Sequence, residues 1–136
     1  MAGIDQIKQD VIDVVLAAGL DVRAVYIYGS FASGTETEKS DVDIALRCHD
    51  KIHFRTRIDL NTSLEIKLKR RVDLLDMTSV STVMRMQVVS KGQRIFCTDF
   101  NEAEDYDDLI FVRYARLNEE RAGIVKDIQA RGSIYG

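Results

Sequence analysis

The chain has 136 residues, 46% of them hydrophobic and 30% charged, with 8 glycines and no proline. That length suffices for one domain with a real core and leaves no Pro-rich linker between modules. A net charge of −3, with a pI near 5.4, argues against broad, sequence-independent nucleic-acid binding, which depends on Lys and Arg neutralising phosphates.

Ile4, Ile7, Val11, Val14, Val15 and Ala18 recur at helical spacing before Gly19, which predicts a first helix over residues 4–18. Its polar residues Asp5, Gln6, Lys8 and Asp10 are unlike a secretory signal. After a turn at Leu20-Asp21, the Val- and Tyr-rich run 22–28 reads as a strand that stops at Gly29. Residues 31–40 have loop composition, with room for one helical turn before Gly34. A second strand is predicted from Val42 to Leu46, with Asp41 at its entrance and residues 47–51 leaving the sheet.

Phe54, Ile58, Leu60, Leu64, Ile66 and Leu68 mark a second helix over 53–69. Its basic end, Lys67 to Arg71, suits the helix dipole, or else contacts phosphate or a partner. A short strand follows over 71–76. A helix capped by Thr78-Ser79 or by Ser81 should end at Gly92, and a brief strand should cover 94–98. Asn101 to Glu104 has the form of a capping box. Behind it Tyr106, Ile110, Tyr114, Leu117, Ile124 and Ile128 share one stripe of a helix of about 28 residues. The element order predicts an α/β fold with a small mixed sheet. One domain spans 1–136, its charge and helicity changing near residue 99. Cys48 and Cys97 have no CxxC or metal-ligand spacing and read as reduced thiols of a cytoplasmic protein. No apolar run reaches the ~18 residues of a membrane span.

The chemistry concentrates in residues 25–43. Side chains alternate along a strand, so Asp41 and Asp43 share a face, roughly 6.6 Å apart along the backbone. Asp73, on another strand, adds a third carboxylate. Such a group repels itself unless a cation is present, and Mg²⁺ favours one or two carboxylates plus substrate phosphates. Gly29 allows a tight turn and close approach of a ligand, while turn amides and the Ser30 hydroxyl donate to phosphate oxygens. The bland alternative is that Asp41 only opens a strand and Asp73 sits on a solvated edge.

Gly29-Ser30, ten residues, then Asp41-Val42-Asp43 resembles the GS-x10-D-x-D motif of the DNA-polymerase-β-like nucleotidyltransferases. The third carboxylate of that superfamily maps to Asp73. The short length and the run Tyr-Ala-Arg-Leu-Asn-Glu-Glu-Arg at 114–121 are similar to the minimal nucleotidyltransferases (MNT). These are commonly encoded beside a HEPN-domain ribonuclease toxin, as its antitoxin. The resemblance implies the polymerase-β-like fold and transfer of AMP from ATP to a tyrosine hydroxyl of that toxin. It implies two Mg²⁺ ions on Asp41, Asp43 and Asp73, with Asp73 also helping to deprotonate the acceptor. Gly29, Ser30, Ser33, Lys39 and Ser40 would contact the nucleotide. Ser33 stands where family members often carry Arg, so either the missing cation weakens nucleotide binding or Lys39 serves in its place.

Little chain is left over to bind a small acceptor, so residues 100–136 are expected to dock the toxin. Two alternatives stay open: a small-molecule acceptor such as an aminoglycoside, and a catalytically weak module that neutralises its partner by contact. The spacing from Arg47 to His53 also fits the Arg-x4-6-His motif of HEPN ribonucleases. That motif belongs to a helical protein, and here it falls where a strand gives way to a loop.

Overall fold

The computed structural model describes residues 3–135, and side chains as far as Ala130. Helix α1 (Ile4–Ala17) leads through Gly19, at φ +76°, into strand β1 (Val22–Tyr28). The short helix α2 (Ser30–Ser33) precedes β2 (Val42–Cys48), and α3 (Phe54–Leu68) carries the chain to β3 (Val72–Asp76). Then come α4 (Thr82–Lys91), β4 (Gln93–Cys97) and the long α5 (Phe100–Tyr135).

The four strands lie in the order β3-β2-β1-β4. β1 runs antiparallel to both β2 and β4, while β3 is parallel to β2. A parallel neighbour needs a crossover, and α3 supplies it. The sheet is therefore mixed, as the sequence predicts. Its two faces bury separate cores. Val25 and Ile27 of β1, with Val42, Ile44 and Leu46 of β2, pack with Val11 and Val15 of α1 and Leu60 and Leu64 of α3. On the other face, Ala24, Tyr26 and Ala45 pack with Met77 and with Val88 of α4.

Four expectations need correction. β2 extends through Arg47, which pairs with Ala24, and Cys48, which pairs with Val22. A charged residue stays in the sheet there because Glu102 and the ring of Tyr106 receive its guanidinium. On α3, Leu60 and Leu64 are buried, but Phe54, Ile58 and Ile66 are exposed, so its apolar residues do not form one core stripe. The α5 cap is Asp99, whose Oδ1 accepts the Glu102 amide (3.1 Å), and not Asn101. The Glu102 carboxylate instead goes to Arg47, and the helix begins at Phe100. Lastly, the α5 stripe splits: Ile110 is buried, whereas Ile124 and Ile128 lie beyond the core and are exposed. The α4 cap resolves to Ser81, whose hydroxyl accepts the Met84 amide (3.2 Å).

Candidate active site

Register brings the chemistry together. Tyr28 of β1 pairs with Asp43 of β2, and Asp43 pairs with Asp73 of β3. The three side chains form a row across one end of the sheet. Asp41 precedes β2 by one residue and is exposed. Burial raises the proton affinity of Asp43, and the charges of Asp73 and then Asp41 raise it further. Tyr28 is pushed up likewise, first by burial and then by Asp73 and Asp43. Its hydroxyl is buried and has no hydrogen-bond partner within the protein.

Among the described residues, no three acidic, histidine or cysteine side chains converge as a ready-made metal cage. The carboxylates stand in a row instead. That arrangement fits Mg²⁺, which takes only one or two carboxylates when substrate phosphates and water fill its remaining positions. A cation there would relieve the repulsion that already raises Asp43.

The turn above this row is built on Gly29. Its φ of 69° and ψ of −147° lie in a region that only glycine occupies readily, and a Cβ there would collide with the Oδ2 of Asp43. Its carbonyl accepts the amides of Ala32 and Ser33, which winds the single turn of α2. Gly34, at φ +77°, ends it. The Ser33 hydroxyl lies 2.8 Å from that of Thr35 and is exposed, so it shapes the loop. Ser40 turns its hydroxyl onto the Thr37 amide (2.7 Å), again inside the loop. Lys39 is exposed beside them.

Residues 37–40 are gripped from below. One Nη of Arg70 donates to the carbonyls of Thr37 (3.0 Å), Glu38 (3.1 Å) and Ser40 (3.2 Å), and its guanidinium sits 5.1 Å from the Phe31 ring centre. Part of the basic run therefore pins the loop. Nothing local to Arg70 signals this, because the loop lies about thirty residues earlier. Asp76 was equally unmarked: it is buried and accepts from the Ile52 amide, the Thr78 amide and hydroxyl, and the Ser79 hydroxyl. It ties the start of α3 to the turn after β3.

At the far end of the sheet, Arg47 forms a two-pronged pair with Glu102 (2.5 and 2.8 Å) and stacks 4.1 Å from the Tyr106 centre. The spacing to His53 is thus coincidental, since Arg47 is buried and engaged in holding α5. Tyr26 donates to Asp107 (2.7 Å), and Arg94 pairs with Asp107 (2.8 Å) and Glu104, which fixes the same helix against β1 and β4.

Residues 10–101 match the polymerase-β nucleotidyltransferase family. The chain belongs to this family. It is a nucleotidyltransferase, and the row of carboxylates below a Gly-Ser turn lies within the matched segment. The protein adenylyltransferase MntA of Shewanella oneidensis is 34% identical over 113 residues, which cover 80% of this chain and 78% of that one. Among solved structures, a toxin–antitoxin complex with AMP-PNP contains a similar chain. It has a TM-score of 0.80 and 30% identity, over 90% of this nucleotidyltransferase and 98% of the other. A tri-AMPylated Shewanella oneidensis HEPN toxin in complex with an MNT antitoxin gives a TM-score of 0.77 at 26% identity, over 93% and 99%.

Proposed function

We propose that this nucleotidyltransferase is an antitoxin that transfers AMP from ATP to a tyrosine hydroxyl of a partner HEPN ribonuclease toxin and so neutralises it. The observation that carries the reading is the likeness to a protein adenylyltransferase over four-fifths of the chain. Likeness to the antitoxin of a complex with an AMPylated HEPN toxin supports it. The protein works in the cytoplasm, where ATP and an intracellular ribonuclease meet, and no described helix is long and apolar enough to cross a membrane. The chain acts as one unit, with 1–99 as catalytic core and 100–136 as the docking helix.

Each residue then has a task. The amides of the Gly29 turn and the Ser30 hydroxyl hold the β- and γ-phosphates, while Ser33, Ser40 and Lys39 border them from the loop. Asp41, Asp43 and Asp73 would hold Mg²⁺, two ions in all, which supply charge neutralisation for the triphosphate. The acceptor oxygen bonds the α-phosphorus as the bridge to the β-phosphate breaks, and pyrophosphate leaves. Asp73 accepts the proton that the acceptor hydroxyl gives up.

The test is incubation with Mg²⁺, ATP labelled at the α-phosphate, and the HEPN protein encoded beside this chain. Label should appear on the HEPN protein, and Asp43→Asn should lower the rate at least about 100-fold. The same variant should be slightly more stable without Mg²⁺ and nucleotide, because it removes a partly buried charge that Asp73 and Asp41 also repel, an effect that water screens. A complex that forms without taking label would overturn the transfer. Full neutralisation by an Asp41→Ala/Asp43→Ala variant would show that contact alone suffices.

A further inference from the structure

Two tyrosines of β1, Tyr26 and Tyr28, stand on the same face of the sheet, the face that α4 covers. Their hydroxyls have opposite fates. Tyr26 donates to Asp107 (2.7 Å), a bond that holds α5 to the strand. Tyr28 is only half-buried as a residue, yet its hydroxyl is buried and has no partner among the described residues. The tip of the side chain is therefore turned in over the sheet and away from water. A buried donor left unpaired costs free energy that a phenylalanine of the same shape would not. Packing alone does not call for the oxygen.

The neighbours of Tyr28 do. It is paired with Asp43, so the two side chains project together, about 5 Å apart at Cβ. Asp73 comes next across the sheet. On the β4 side the backbone closes in: a Cβ at Gly92 would lie 3.2 Å from the Tyr28 Cβ. The charges of Asp73 and Asp43 both reach the hydroxyl, and neither carboxylate accepts a hydrogen bond from it. A neutral donor thus stands beside two acceptors that repel each other. Carboxylates that ligate a cation are held in turn by outer hydrogen bonds, which fix the oxygen they present. A hydroxyl suits that place better than Lys or Arg, whose charge would compete with the metal for the same carboxylates.

Resting on the reading that this row holds Mg²⁺, we infer that Tyr28 is a positioning residue. Its hydroxyl donates to a carboxylate oxygen of the Asp43–Asp73 pair and fixes the orientation in which the pair meets the cation. The donor left unpartnered in the free chain is satisfied when the pair is so oriented, which couples order at the site to its occupancy.

The test is Tyr28→Phe, with Tyr26→Phe and Asp43→Asn for comparison. Urea unfolding is followed without ligand, and affinity for AMP-PNP is measured by calorimetry in excess Mg²⁺ and in EDTA. The wild type should bind AMP-PNP more tightly with Mg²⁺, and Asp43→Asn should lose that gain. Tyr28→Phe should cut the gain at least about tenfold, keep the affinity in EDTA within twofold, and unfold at no lower urea concentration. Tyr26→Phe should do the reverse, raising the unfolding constant at least about fivefold while keeping the gain within twofold. If Asp43→Asn loses the gain and Tyr28→Phe keeps it, the assignment of Tyr28 is overturned. A lower urea midpoint for Tyr28→Phe would also overturn it, since the hydroxyl would then serve the fold. A gain that survives Asp43→Asn would overturn the metal reading itself, and this assignment with it.

Discussion

At Gly29 two constraints coincide, a left-handed φ and the carboxylate of Asp43 against its Cα. Gly29→Ala should therefore cost about 1–3 kcal/mol in urea unfolding. It should also cost at least about 100-fold in AMP transfer, because Asp43 must move. Asp43 itself has a pH signature. Its folded-state proton affinity is raised above the ordinary value of 3.8, so the folded chain holds a proton at a pH where the unfolded chain has lost it. The penalty from ionised Asp43 is thus full near neutrality and fades as pH falls toward and below 3.8. Relative to Asp43→Asn, the wild type should gain stability on acidification through that window, as read from chemical denaturation at several pH values. The turn at Gly29-Ser30 and the Asp41/Asp43 pair were legible in the sequence because a turn residue at a strand end and carboxylates at period two keep their meaning locally, whereas the place of Asp73 beside Asp43 is set by strand pairing. The unpartnered Tyr28 hydroxyl and the Arg70 grip were not, since what surrounds them comes from other strands and loops.

Among the elements, α5 depends on one contact more than on its own cap. Arg47 holds Glu102 with two hydrogen bonds and covers the Tyr106 ring. Arg47→Ala should destabilise the fold by about 2–3 kcal/mol, less than for a fully buried pair because Glu102 is partly exposed. Thermal unfolding measures it. Hydrogen bonding and the charge of Arg47 hold the Glu102 carboxyl below the ordinary range. A depressed carboxyl contributes stability that is present above its unfolded value of 4.5 and disappears as pH falls through the lower folded value. Glu102→Gln should flatten that acid-side loss. Elements with self-contained periodicity, such as α1 and β1, came out within a residue of expectation. β2 and the start of α5 did not, because the residues that decide their ends are 55 positions apart in the chain.

For the whole molecule, the decisive asymmetry is between a packed core and a helix that outruns it. Ile110 is buried, Leu117 is half-buried, and every described residue from 118 to 130 is exposed. Truncation after residue 118 should thus leave the melting temperature within about 3 °C, since little apolar surface is lost from the core. Affinity for the HEPN protein should fall at least about 100-fold by calorimetry, because Ile124, Val125 and Ile128 go with it. By itself the sequence determined the α/β class, the order of elements and a Gly-Ser turn ten residues before Asp41-Val42-Asp43, because periodicity, turn chemistry and spacing act over a few residues. Only the tertiary structure decided that Asp43 and Asp73 stand opposite each other, that Tyr28 closes the row, and that β3 is the open edge. Those are facts of strand register and neighbour order, which depend on contacts between segments that are distant in the chain.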